Sequence, residues 1–351
     1  MTITRTRRGR LRRCARSWIG VVLATFLAVP AAVAAPSDDG FGPLERRTVV
    51  DRSGRKITYY VSHPDHPAPI MLLIQGSGCQ PVMARNGGQF FSTLFSLLPV
   101  ASEGRFTVVA VEKPFANADT AARPCSAAFN EDFTADSWRE ALAAGLGAAR
   151  ALPWVDQRRT LVFGHSEGAV MAALLAARDP SITDVVAIGM TGDTQLFDFV
   201  TLAYQRKGGT AVKLQGVDDV YGTVRDILAN PDSATEMAWG HPYRRWSSFF
   251  RTSVVDALLA SKARLYLAAG TQDASVPILS TELAIARLTL AGRDLTVRRV
   301  ADANHSLMYE GDTTLNQLDE EYGRARKWFW KSGPTPGAAA CPSAACPTSP
   351  P

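Results

Sequence analysis

Short, nearly continuous apolar runs recur along the chain, at 69–74, 106–111, 160–163, 182–188, 263–269 and 295–300. Continuous apolarity, rather than strict alternation, is the pattern of strands buried on both faces of a parallel sheet. Between them lie helical patterns at 92–98, 137–152, 168–178, 277–290 and 315–330. A segment from Thr48 to Ser62, with Ser53-Gly54 between two β-rich runs, reads as a hairpin in front of them. Strand alternating with helix predicts a doubly wound, mostly parallel α/β sheet. The rhythm breaks between about 191 and 261, where no clear strand occurs and Trp239 to Arg251 is rich in aromatics and arginines. An insertion there is expected to fold as a small cap over the C-terminal edge of the sheet. Residues 333–351, rich in Pro, Ala and Ser, are expected not to pack.

Charge refines this picture. The chain of 351 residues has a formal net charge of +5, which by itself invites a phosphate-rich partner. Seven arginines between Arg5 and Arg16 account for the excess, and no acidic residue precedes Asp38. Behind them runs an apolar stretch from Trp18 to Val33, then Ala34 and Ala35. Basic, apolar and small-residue segments in that order predict a cleaved export signal over residues 1–34. The apolar stretch, broken by Pro30, is shorter than the roughly 20 residues that span a bilayer. Arg7-Arg8 also fits in part a twin-arginine signal. Without the seven arginines the charge is −2 and the case for nucleic acid disappears. The expected location is periplasmic or secreted, with no membrane span in a mature domain over 36–332. Export also suits the cysteines. Cys14 leaves with the signal, and Cys79, Cys125, Cys341 and Cys346 remain; pairing 79 with 125 and 341 with 346 is the preferred arrangement. No cysteine spacing suggests a metal site.

The sharpest chemical signal is Gly164-His165-Ser166-Glu167-Gly168, which follows the run ending at Phe163 and opens a helix of small apolar residues. A G-x-S-x-G turn between strand and helix lifts a serine hydroxyl above the sheet edge, the flanking glycines letting the backbone turn. Such a hydroxyl needs a base, and the base needs a partner that fixes its tautomer. Of the five histidines, His305 follows the last strand. His63 and His66 belong to the far end of the hairpin, His241 lies in the cap, and His165 beside the nucleophile reads as structural. Asp273, after the penultimate strand, is the expected acid; Asp193 is its rival, and a helix cap is the alternative role for Asp273.

These three motifs, GHSEG, GTQDASVP and ANHS, resemble the α/β-hydrolase superfamily over roughly Thr48 to Trp330. GHSEG is similar to its dienelactone hydrolase and prolyl-oligopeptidase-type branches. The resemblance implies an oxyanion hole from the backbone N–H of Glu167 and, in Gln75-Gly76-Ser77-Gly78, of Ser77, with Gln75 where a histidine is common. Glu112, Trp239, Tyr243 and Trp246 are candidate pocket residues. Glu112 and Lys113 could instead form a solvated ion pair, and the cap aromatics could face inward with their arginines in water. The expected activity is hydrolysis of a carboxylic ester or thioester through an acyl-enzyme, with no cofactor or metal. Small-molecule ester, thioester or peptide substrates are the expected partners. A prolyl-oligopeptidase-type peptidase is the enzymatic alternative, disfavoured by the chain length its propeller would need. A non-catalytic binding protein of the same fold is the other.

Overall fold

The computed structural model describes residues 44–86, 89–92, 104–117, 124–207, 216–311 and 316–331. The expected export segment, the tail with Cys341 and Cys346, and most of the helical pattern at 92–98 lie outside them. An eight-stranded sheet runs in the order β1 (Leu44–Val50), β2 (Lys56–Ser62), β6 (Thr107–Val111), β3 (Ala68–Ile74), β7 (Val155–His165), β8 (Asp184–Ile188), β11 (Arg264–Gly270), β12 (Leu295–Val300). The first two strands form the expected antiparallel hairpin, and β2 meets β6 antiparallel. From β6 to β12 every pairing is parallel. Two short hairpins, β4 (Met83–Asn86) with β5 (Gln89–Ser92) and β9 (Met237–Ala238) with β10 (His241–Pro242), stand apart from the sheet.

Continuous apolar strands are explained by burial on both faces. In β3, Ile70, Leu72 and Ile74 enter one core while Met71 and Leu73 enter the other. The first core is covered by α2 (Ala135–Arg150), α3 (Glu167–Arg178), α7 (Val254–Ala260) and α8 (Ile278–Leu290), the second by α9 (Asn316–Lys331). Burying one such Leu or Ile side chain contributes about 1.5–3 kcal/mol. Capping fixes where helices begin. Thr134 accepts from Ser137 N at the start of α2, and Ser126 accepts from Phe129 N at the start of α1 (Ala127–Asp132). The helix α3 is apolar nearly all round and correspondingly buried nearly all round. Because β3 lies between β6 and β7, the chain crosses to opposite sides on leaving and returning to it. In open α/β sheets the C-terminal edge at such a reversal is the usual ligand position.

The cap contains α4 (Gln195–Gln205), α5 (Val217–Ala229), the β9–β10 hairpin and α6 (Tyr243–Phe250), around a small core of Val224, Ile227, Ala238, Trp246 and Phe250. It is shorter than expected. Val254, Val255 and Leu258 of α7 join the main core, so the helix nearest residue 261 belongs to the body. Among the described residues, no helix is long and apolar enough to cross a membrane.

Candidate active site

Ser166 stands between the last residue of β7 and the first of α3, with φ 56° and ψ −125°. A β-carbon is disfavoured at positive φ, so this conformation persists only where its surroundings enforce it. They do so through backbone: Ser166 N donates to Ile188 O at 2.8 Å, and Ser166 O accepts from Ala169 N at 2.9 Å. The flanking glycines act differently from the sequence expectation. Neither has positive φ. A Cβ on Gly168 would sit 2.0 Å from Ile74 O, and one on Gly164 would sit 2.2 Å from Gly168 O. They are glycines so that β7, α3 and the end of β3 can touch.

Asp273 and His305 are brought together at the ends of β11 and β12. His305 Nδ1 lies 2.7 Å from Asp273 Oδ2, while Asp273 Oδ1 accepts from Ser275 N and Val276 N, both at 2.8 Å. The carboxylate therefore serves local turn and histidine at once. Close packing admits the histidine loop, since a Cβ on Gly270 would meet Ala303 O and Asn304 O at 2.3 Å, and one on Gly189 would meet the His305 ring at 3.0 Å. His165 is buried, with its ring centroid 4.8 Å from that of His305 and its Nε2 3.0 Å from His305 O. A carbonyl only accepts, so Nε2 carries the proton. Burial, together with His305, lowers the His165 pKa to about 3 and keeps it neutral. Among the described residues no hydrogen bond joins Ser166 Oγ to His305.

The rival residues are committed elsewhere. Asp193 accepts from Ser253 Oγ at 2.8 Å and, through its carbonyl, from Val254 N at 2.7 Å, holding the start of α7. His63 stacks on Trp154 at 4.0 Å, beyond the opposite end of β3. His241 is lowered to about 4 by burial and by Lys113.

Ser77 lies on the loop after β3. A Cβ on neighbouring Gly76 would be 3.4 Å from Ser166 Cβ and 3.8 Å from Ser166 Oγ, so this loop passes directly beside Ser166. Glu167, first residue of α3, has a backbone N–H with no acceptor inside its helix. The loop after β3 is pinned on several sides. Gln75 Nε2 donates to Gln80 O at 2.9 Å, Asn117 N donates to Cys79 O at 2.7 Å, and Cys79 is bonded to Cys125.

Two sequence readings are corrected here. Glu112 and Lys113 are not a solvated pair. Both Glu112 oxygens accept from Val82 N, at 2.9 and 3.1 Å, and burial pushes its pKa up to about 7. Lys113 is 1% exposed. Its Nζ donates to Gly76 O at 2.6 Å and Gly78 O at 2.7 Å, over the rings of Trp138 and Phe133 at 4.2 and 5.3 Å. Burial lowers its pKa, opposed by Glu112. The second correction concerns the cap. Trp246 is buried, its Nε1 donating to Ala238 O at 2.5 Å, and packs with Trp239, Phe199 and Phe250 at 5.6, 5.1 and 5.2 Å. With Tyr243 packed against them, these rings form the cap's own core, the inward-facing alternative, with Trp239 and Tyr243 half-buried. Nor are all the arginines in water: Arg245, 2% exposed, pairs with the buried Glu167 carboxylate and lies over Trp246 and Phe249.

Asp198 of α4 carried no sequence signal. It is buried, accepts from Thr191 Oγ1 at 2.6 Å, and is pushed up to about 7 chiefly by burial, with nearby Asp273 adding to the rise. Among the described residues no group of three or more His, Cys, Asp or Glu could hold a metal ion.

The sequence matches the family model "Alpha/beta hydrolase family" over residues 71–317. In structure the chain is similar to Porphyromonas gingivalis dipeptidyl peptidase 4 (TM-score 0.52, 18% identity, covering 83% of this chain and 36% of that one). It is also similar to Pyrococcus horikoshii acylaminoacyl peptidase (0.56, 14%, 83% and 42%) and to Est1E from Butyrivibrio proteoclasticus (0.52, 14%, 82% and 98%). It spans well under half the length of either peptidase, and at these identities the likeness is one of fold. No curated protein matches the sequence. A match that begins within β3 and ends beyond His305 takes in every loop that builds this site, and by it the chain belongs to the alpha/beta hydrolase family.

Proposed function

We propose that the chain is an exported serine hydrolase that cleaves a carboxylic ester or thioester through an acyl-enzyme. The observation that carries this reading is the 2.7 Å contact of His305 Nδ1 with Asp273 Oδ2 on the same sheet edge as the positive-φ turn at Ser166. In this mechanism Ser166 Oγ attacks the carbonyl carbon and His305 Nε2 takes its proton. Asp273 keeps the Nδ1–H tautomer and stabilises the imidazolium. The N–H groups of Ser77 and Glu167 receive the charge that develops on the carbonyl oxygen. The imidazolium returns the proton to the leaving group, and a water activated by His305 then frees the acyl group and restores Ser166. Export is supported by the arginine-rich, apolar and Ala-containing start of the chain and suits the Cys79–Cys125 bond.

Labelling with a fluorophosphonate tests the chemistry. The natural chain is expected to label once and Ser166→Ala not at all; equal labelling of both would overturn the reading. A panel of p-nitrophenyl esters beside aminoacyl and prolyl amides then decides between ester and peptide cleavage, the second reading suggested by the peptidase neighbours.

A further inference from the structure

Among the described residues, Lys113 is the one buried ammonium group whose donors are spent on the loop beside the nucleophile, and the mechanism above gives it no part. Its two acceptors flank Ser77 in sequence. The first matters most. Gly76 C=O and Ser77 N–H are the two ends of a single peptide unit, and in a planar trans peptide they point in opposite directions. A donor fixed on Gly76 O from one side therefore aims Ser77 N–H to the other. Hydrogen bonding at the carbonyl also draws electron density across the amide and strengthens its N–H as a donor, an effect that grows where water is excluded. Gly76 lies against Ser166, so the orientation imposed on this peptide is imposed beside the reacting centre.

We infer that Lys113 is the positioning residue of the oxyanion hole: its ammonium holds Gly76 O and Gly78 O so that the Ser77 N–H is aimed and polarised toward the developing oxyanion. This rests on the serine hydrolase reading. The surroundings suit a charge held in place, because the rings of Trp138 and Phe133 present their faces to Nζ. The carboxylate next to it in sequence is turned away to Val82 N, which leaves the ammonium to the loop. Gln75 and the Cys79–Cys125 bond fasten the loop's two ends, while only Lys113 reaches its middle among the hydrogen bonds of the described residues.

The experiment compares the natural protein with Lys113→Met and Lys113→Arg, counting turnover per Ser166 titrated by the fluorophosphonate so that loss of folded protein drops out. For a p-nitrophenyl ester, Lys113→Met is expected to lower kcat about 100-fold, the effect of losing one oxyanion donor, with KM within about threefold. Phenylboronic acid, which mimics the tetrahedral adduct on Ser166, is expected to lose affinity by a similar factor, and Lys113→Arg to regain most of both losses. If Lys113→Met gives no titratable protein, Lys113→Gln is read the same way, with a fall of about 10-fold expected. A kcat per titrated site within twofold of the natural protein, or a rise in KM alone, would overturn the inference. Failure of the natural protein to label would instead overturn the serine hydrolase reading, so the two failures are distinct.

Discussion

The floor of the site and the cap above it are held together by different means. In the floor, backbone meets backbone: Ser166 N on Ile188 O, glycine against carbonyl at Gly164, Gly168 and Gly270, and the histidine loop tied by Gln272 N to Ala303 O at 2.9 Å. The cap is fastened to the body largely by polar side chains, Arg245 on Glu167, Asp198 with Thr191, and Ser248 Oγ accepting from Ala135 N at 3.1 Å, together with Phe249, which enters the main core. Main-chain contact in a glycine-tight packing leaves little freedom to shift. Side-chain clasps can be exchanged one at a time, so the same floor can carry caps of different shape.

The largest effect expected from this contrast is chemical and lies in the floor. Asp273→Asn should leave the fold in place, by circular dichroism, and lower kcat about 10⁴-fold by holding the wrong tautomer of His305; a loss below tenfold would remove Asp273 from its role. Next comes the deepest clasp of the cap. Arg245→Leu strands the Glu167 carboxylate in the interior and should cost about 3–5 kcal/mol in urea unfolding, most of which the double variant Glu167→Gln with Arg245→Met should recover. If the single variant is neutral, the cap does not depend on that pair. Cys79→Ser with Cys125→Ser, which frees one end of the loop after β3, should cost about 2–4 kcal/mol. The smallest effect is read against pH. The folded pKa of His241, about 4, lies below its ordinary 6.5. Its contribution is therefore complete above about pH 6.5 and declines as the pH falls toward 4, by about 1.4 kcal/mol per pH unit. His241→Gln should flatten that part of the profile of urea midpoints between pH 7 and 4.

The same contrast decides what could be read from residues alone. Strands β3, β6, β8 and β11 were legible because burial on both faces writes a continuous apolar run, whereas β12, at the edge, is half-exposed and carries Arg298 and Arg299. The placement of Ser166, Asp273 and His305 at one sheet edge was legible because each lies shortly after a strand of the sheet. The reasons for Gly164 and Gly168 were not, since a close approach depends on the partner backbone at Ile74 rather than on the turn itself. Lys113 touches a loop 37 residues away, and beside Pro114 it looks like any charged strand end. Arg244, Arg245 and Arg251 are alike in sequence; only the tertiary position of Glu167 distinguishes the buried one. Asp198 is hidden in the same way inside an amphipathic helix, where one acid among apolar residues gives no periodic signal.

The conformation at Ser166 has a consequence for the chain's evolution. A β-carbon at positive φ costs of order 1–3 kcal/mol, and glycine at that position would relieve it. The most stable sequence for this turn is thus an inert one, and selection for stability alone would drift toward discarding the hydroxyl. That the chain holds a serine at φ 56° means the turn is maintained against its own thermodynamic preference, by the backbone contacts to Ile188 and Ala169 that surround it.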